Sequence, residues 1–136
     1  IAIEVTKGNQ ERFEVYGNDY ETSDGTCIRD YIHVVDLADA HIKSVEYLGK
    51  GSPSVALNLG GGRGYSNLEV LDAVERVTGK KVMRSFGPRR PGDPAKLWAD
   101  NQKAKKVLGW EPKYPDLETI IETAWKWHQK SSKWDT

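Results

Sequence analysis

The stretch Gly60-Gly61-Gly62-Arg63-Gly64-Tyr65-Ser66-Asn67-Leu68-Glu69 constrains this fold more tightly than any other part of the chain. Ser66 and Glu69 have the spacing of a capping box. In that motif the hydroxyl accepts from the third helical N–H and the carboxylate reaches back to the cap's own N–H. Leu68, Leu71, Val74 and Val77, with Val70 beside them, recur at helical period as far as Gly79, a glycine placed to end the helix. Ahead of the glycines, Ser54-Val55-Ala56-Leu57-Asn58-Leu59 follows Pro53 as a short apolar run and reads as a buried strand. A strand, a glycine turn and a capped helix in that order make an α/β unit. The turn is expected to need positive φ angles.

The flanking sequence extends this pattern. Ile1 to Val15 reads as a short helix or extended arm, with a strand near Arg12 to Tyr16. Gly17-Asn18-Asp19 and Ser23-Asp24-Gly25-Thr26 carry turn chemistry. Arg29 to Val34 reads as extended, Ile32 and Val34 alternating with Tyr31 and His33. Asp36 stands as an N-cap with Asp39 three residues on, predicting a helix from Leu37 to Leu48 that Gly49 stops. Val82 to Phe86 reads as a strand, and Pro88 to Trp98 as a long loop stiffened by proline. Asp100 is placed to cap a helix closed by Gly109, and Asp116 to cap a last helix that frays near Ser131. Trp125, Trp127 and Trp134 crowd that end, while Trp98 and Trp110 sit in loops. All five read as packing anchors, because no basic stripe accompanies them.

Composition excludes several classes of function. The 136 residues hold 20 Lys plus Arg against 20 Asp plus Glu, so no overall field attracts nucleic acid or an acidic membrane. No apolar run is long enough to span a bilayer, and the amino terminus lacks a signal-peptide pattern. Cys27 is the single cysteine, which rules out an internal disulfide and makes a reducing, cytoplasmic setting the expectation. His33, His41 and His128 have no metal spacing, there is no serine nucleophile elbow, and no tyrosine is followed four residues later by Lys. The glycine run falls short of a dinucleotide fingerprint, since Tyr65 stands where the third glycine belongs. His33 reads as a packing or capping residue.

Two arginines remain. Arg29 lies in Asp24-Gly25-Thr26-Cys27-Ile28-Arg29-Asp30-Tyr31-Ile32-His33-Val34, and Arg90 in Arg89-Arg90-Pro91-Gly92-Asp93. Planar guanidinium groups on stiff turns suit phosphate, because each can give two parallel hydrogen bonds to its oxygens. The alternative is a pair of surface ion pairs, Arg29 with Asp30 and Arg90 with Asp93.

These motifs resemble a known family. Gly17-Asn18-Asp19-Tyr20, the run from Asp24 to Asp39, Arg89-Arg90-Pro91-Gly92-Asp93, Trp98-Ala99-Asp100 and Leu108-Gly109-Trp110 are similar to the carboxy-terminal half of UDP-glucose 4-epimerases. Those enzymes belong to the extended short-chain dehydrogenase class. The resemblance runs from about Glu14 onward. It implies an α/β fold of few short strands and several helices, the substrate-binding portion of the extended fold, with residues 1–136 forming one UDP-sugar-binding region. It places Val55 to Leu59 in a parallel sheet that is mostly upstream, along with the Rossmann NAD domain and the catalytic Tyr-x-x-x-Lys pair. The start at Ile1 fits a fragment or a processed piece.

By the same resemblance, Arg29 and Arg90 clamp a diphosphate, Asp93 accepts from ribose hydroxyls, and the backbone from Glu14 to Tyr16 edges the uracil. Leu97 stands where many members restricted to glucose and galactose carry Tyr, which implies room for an N-acetyl group. The implied activity interconverts UDP-glucose and UDP-galactose at the fourth sugar carbon through transient oxidation, with NAD as cofactor of the complete enzyme. No catalytic, NAD-binding or metal residue falls in this chain, which is expected to be inactive alone. A cytoplasmic homodimer acting on a UDP-sugar, without nucleic-acid or membrane partners, completes the expectation. The alternatives are another UDP-sugar epimerase or decarboxylase, such as a UDP-N-acetylglucosamine 4-epimerase, or a non-catalytic nucleotide-diphosphate binding module.

Overall fold

The computed structural model describes residues 2–131. Its elements in chain order are α1 (Ala2–Lys7), β1 (Phe13–Tyr16), β2 (Ile28–Asp30), α2 (Val34–Gly49), β3 (Gly64–Ser66), α3 (Asn67–Thr78), β4 (Arg84–Gly87), β5 (Lys96–Leu97), α4 (Gln102–Leu108) and α5 (Leu117–Ser131). Helix α3 forms as its local chemistry dictates. Ser66 Oγ accepts from Glu69 N at 3.1 Å, Glu69 Oε2 accepts from Ser66 N at 2.7 Å, and Gly79 closes the helix at φ 67°. Leu71, Ala73 and Val74 on its buried side form the main core with Val15, Val82, and Leu117 and Ile121 of α5.

The strands make two small sheets. β1 pairs in parallel with β4, Tyr16 standing opposite Gly87. β2 lies between β3, to which it is antiparallel, and β5, to which it is parallel. The loop after Pro88 therefore contains the short strand β5.

Helix α2 departs from expectation at its start. His33, not Asp36, is the N-cap: its Nδ1 accepts from Val35 N at 3.0 Å while Nε2 meets Thr123 Oγ1 at 2.8 Å. The extended segment consequently ends at Asp30 and does not reach Val34. Asp36 is buried in the first turn, where its carboxylate accepts from Lys113 N and Tyr114 N, each at 2.9 Å. Its backbone carbonyl accepts from Trp110 Nε1 at 2.9 Å. These partners lie far along the chain, so a rule for local capping cannot see them.

Residues 54–59 form no strand here and pair with none among the described residues. Leu57 and Leu59 lean on a second cluster of Ala40, Ala104 and Trp110, while Val55 is exposed. A strand requires a neighbouring ladder, and this part of the chain offers none. The glycine turn also differs in its cause. Within it only Gly62 has positive φ, 82°. Gly60 and Gly64 are demanded by crowding instead, since an added Cβ would lie 2.3 Å from Asp30 Oδ2 or 2.4 Å from Ile28 Cγ2.

At α4 the cap position is Asn101, which makes no side-chain cap bond, although Asp100 Oδ1 does accept from Gln102 N at 2.9 Å. Asp116 caps α5 through Thr119 N at 2.9 Å. Among the tryptophans, Trp110 is fully buried, whereas Trp98 and Trp127 are exposed and do not anchor the core. Trp134 and the expected fraying past Ser131 lie outside the described residues.

Two consequences for stability follow from carboxylates. Replacing the buried Asp36 with Ala takes the acceptor from two part-buried backbone bonds and should cost about 1–3 kcal/mol, read as a shift in denaturant midpoint. Glu75 on α3 accepts from Lys81 Nζ at 2.7 Å, Val82 N at 2.9 Å and Arg84 Nη2 at 3.1 Å. Lys81 first, then the Val82 N–H, lower its carboxyl from 4.5 to about 2. Because the folded value lies below the unfolded one, this stabilisation is complete above 4.5 and fades as pH falls toward about 2. Glu75→Gln should therefore flatten the loss of stability between pH 4.5 and about 2.

Candidate functional site

The site is assembled by the two ends of one loop. Tyr16 faces Gly87 across the β1–β4 ladder, and Gly17 N continues that ladder to Gly87 O at 2.9 Å. The chain leaving β4 must then pass beside Tyr16, and Arg90 Cζ rests 3.9 Å from the centroid of the Tyr16 ring. At the other end, Ile28 N donates to Ala95 O at 2.8 Å, and Leu97 of β5 stands opposite Arg29 of β2. Between these anchors Arg90-Pro91-Gly92-Asp93 closes a turn through Asp93 N to Arg90 O at 3.2 Å, with Gly92 at φ 80°. Proline second and a positive-φ glycine third are the residues of a type II turn.

That turn delivers Asp93 to Arg29, whose Nη2 bonds its Oδ1 while Nη1 donates to Ile28 O at 2.7 Å. Neither of the ion pairs suggested by adjacency forms. Successive residues on a strand face opposite ways, so Asp30 turns from Arg29 toward the glycine turn. There its carboxylate accepts from Gly61 N and Ala99 N, each at 2.9 Å. Arg90 lies over an aromatic face and not on Asp93.

Glu14, Tyr16, Arg29, Arg90 and Asp93 all line one cleft of about 280 Å³. Leu97 does not: it is 59% exposed and lies outside the lining. Phe13 and Asn67 join the lining without any signal in the sequence, and Cys27, read there as structural, lines it too. Glu14 is seated by a close approach, since a Cβ on Gly87 would come 2.7 Å from Glu14 Oε1. A larger cavity of about 470 Å³ between His33 and Trp127 is apolar and gathers no arginine or carboxylate.

A second network ties together the segments that bring Cys27 and Asn67 to the cleft. Asp24 Oδ1 accepts from Thr26 N and Thr26 Oγ1, each at 2.8 Å, and Asp24 Oδ2 accepts from Ser66 Oγ. Partial burial pushes the Asp24 carboxyl up, but the bonds from Ser66 and Thr26 outweigh it and hold it below its ordinary range. Asn67 N donates to Cys27 O at 3.2 Å, and Asn67 Nδ2 to Cys27 Sγ at 3.2 Å. The start of α3 is thus tied to the segment that leads into Arg29.

Among the described residues no group of three or more His, Cys, Asp or Glu could hold a metal ion, and no helix is long and apolar enough to cross a membrane. The cleft offers two guanidiniums, two carboxylates, an aromatic face and a strand edge. Such a set suits an anion that also bears hydroxyls and a planar group.

Comparison with known proteins agrees on the fold. The model of the GDP-mannose 4,6 dehydratase family matches residues 1–123. The UDP-glucose 4-epimerase of Lacticaseibacillus casei is 51% identical over 129 residues, covering 95% of this chain and 39% of the relative. A crystal structure of UDP-glucose 4-epimerase superposes with TM-score 0.92 at 50% identity, over 96% of this chain and 40% of that one. UDP-glucose-4-epimerase from Stenotrophomonas maltophila, with bound NAD and formylated UDP-arabinopyranose, superposes with TM-score 0.91 at 41% identity, over 97% and 39% of the two chains. This chain spans about two fifths of the length of the relatives it matches. The α/β fold of few short strands and several helices is the one they share.

Proposed function

The chain belongs to the GDP-mannose 4,6 dehydratase family, and from that premise we propose that it is the UDP-sugar-binding region of a UDP-glucose 4-epimerase. The longer protein would interconvert UDP-glucose and UDP-galactose at the sugar's fourth carbon. The observation that carries this reading is the convergence of Arg29, Arg90 and Asp93 on one cleft at the Tyr16 end of β1. A relative that holds formylated UDP-arabinopyranose supports the ligand class. In this reading Arg29 and Arg90 take the two phosphates, Asp93 accepts from the ribose hydroxyls, and the edge of β1 from Glu14 to Tyr16 takes the base. Each arginine is held meanwhile by a partner the ligand can replace, Asp93 for one and the Tyr16 ring for the other.

NAD, present in that relative, finds no cradle in the glycine turn of this chain. Gly60 and Gly64 are packed against Asp30, Ala99, Ile28 and Trp98, so the turn is filled by the protein itself. The cofactor and the redox chemistry it supplies belong to the rest of the longer protein. What this chain does is bind and orient the substrate, and residues 1–136 alone should show no epimerisation. A cytoplasmic homodimer working in galactose metabolism completes the reading, the buried free thiol of Cys27 favouring a reducing compartment.

The test uses the full-length protein. It should epimerise UDP-galactose, and calorimetric titration should show UDP weakened by about 1–3 kcal/mol in Arg29→Ala and in Arg90→Ala, more in the less exposed Arg29. Unchanged UDP affinity in both variants would refute the clamp. Leu97 bears on the alternative that the enzyme takes N-acetylated sugars: Leu97→Tyr should lower turnover of UDP-N-acetylglucosamine relative to UDP-galactose. An unaltered ratio would remove Leu97 from specificity.

A further inference from the structure

Arg89 and Arg90 are neighbours with different tasks. Arg89 turns away from the cleft: its Nε donates to Asp19 Oδ1 at 2.7 Å, its Nη2 bonds Asp19 O, and its Cζ sits 4.3 Å from the centroid of the Tyr20 ring. Arg90 sits over Tyr16. The two tyrosines flank the turn at Gly17, which has φ 81° and no room for a side chain, since an added Cβ would lie 2.5 Å from Tyr20 Cε2 and 2.8 Å from Arg89 Cγ. Tyr20 is buried, and its hydroxyl has no hydrogen-bond partner among the described residues. What Tyr20 contributes here is therefore the face of its ring.

We propose that Arg89 is a positioning residue for the anion clamp: it fastens the segment 88–93 to the Asp19–Tyr20 turn and so sets where the Arg90 guanidinium meets the ligand. This rests on the UDP-sugar reading above. Arg90 is exposed, and its own contact is with Tyr16, inside the cleft, where an arriving nucleotide disturbs it. Asp19, Tyr20 and Arg89 lie outside the cleft lining, so their contacts persist when the cleft fills. A single exposed ion pair or cation–π contact is weak. Here one guanidinium makes both and also bonds a backbone carbonyl, so its plane and its chain position are fixed together.

A double-mutant cycle in the full-length protein tests this, with UDP and uridine affinities measured for the wild type, Arg89→Ala, Arg90→Ala and the double variant. Arg89→Ala should weaken UDP on the order of 5- to 20-fold, and by less than about twofold once Arg90 is already Ala. Uridine, which lacks phosphate, should change by less than about twofold, and Arg89→Lys should recover part of the loss. An equal loss with and without Arg90, an equal loss for uridine, or no loss at all would overturn the proposal. If the wild type binds no UDP, the functional reading fails, and the same cycle is read with inorganic pyrophosphate: non-additive losses then uphold the positioning role and additive ones overturn it.

Discussion

The segment from Pro88 to Ala95 is fastened at each end to a different sheet, and the cleft exists because of that double attachment. Parallel pairing of β4 with β1 fixes its start beside Tyr16, and pairing of β5 with β2 fixes its end beside Arg29. Strand ladders are rigid on the scale of a side chain, so the loop between them has few ways to run. Two arginines distant in sequence are brought to one place by backbone hydrogen bonds and not by attraction to each other, which would oppose it.

The like charges gathered there are balanced from within. Asp93 answers Arg29, the ring of Tyr16 answers Arg90, and Asp19 answers Arg89. A cationic site left bare would repel itself and weaken the fold around it. These partners are side chains at or near the surface, so under the proposed function a ligand would displace them with little reorganisation in the core. The main core is built on α3 and α5, with Val15 of β1 reaching into it.

Features set by neighbouring residues were legible in the sequence. The Ser66–Glu69 box, the Gly79 and Gly109 stops, the Asp116 cap and the turn chemistry near Gly25 all rest on contacts within a few positions. Features set by distant partners were not. Asp36 looks like a cap until the backbone of Lys113 and Tyr114 is brought to it, and Asp30 looks like Arg29's partner until Gly61 and Ala99 claim it. Residues 54–59 have the composition of a strand, but no local rule says whether a ladder waits beside them. The charged residues that share the cleft are singled out by their chemistry in the sequence, whereas Phe13 and Asn67 have none that does so.

Gly92 is the position where these two levels come apart. Its backbone sits at φ 80°, yet no heavy atom lies within 4 Å of where a side chain would begin. A larger residue there would twist the turn that spaces Arg90 from Asp93 without touching the packed interior. If the proposed function holds, recognition can thus be erased by inheritance while foldedness is spared: a lineage that no longer needs the ligand would drift at this loop and still produce an abundant, well-folded protein that no longer answers to it.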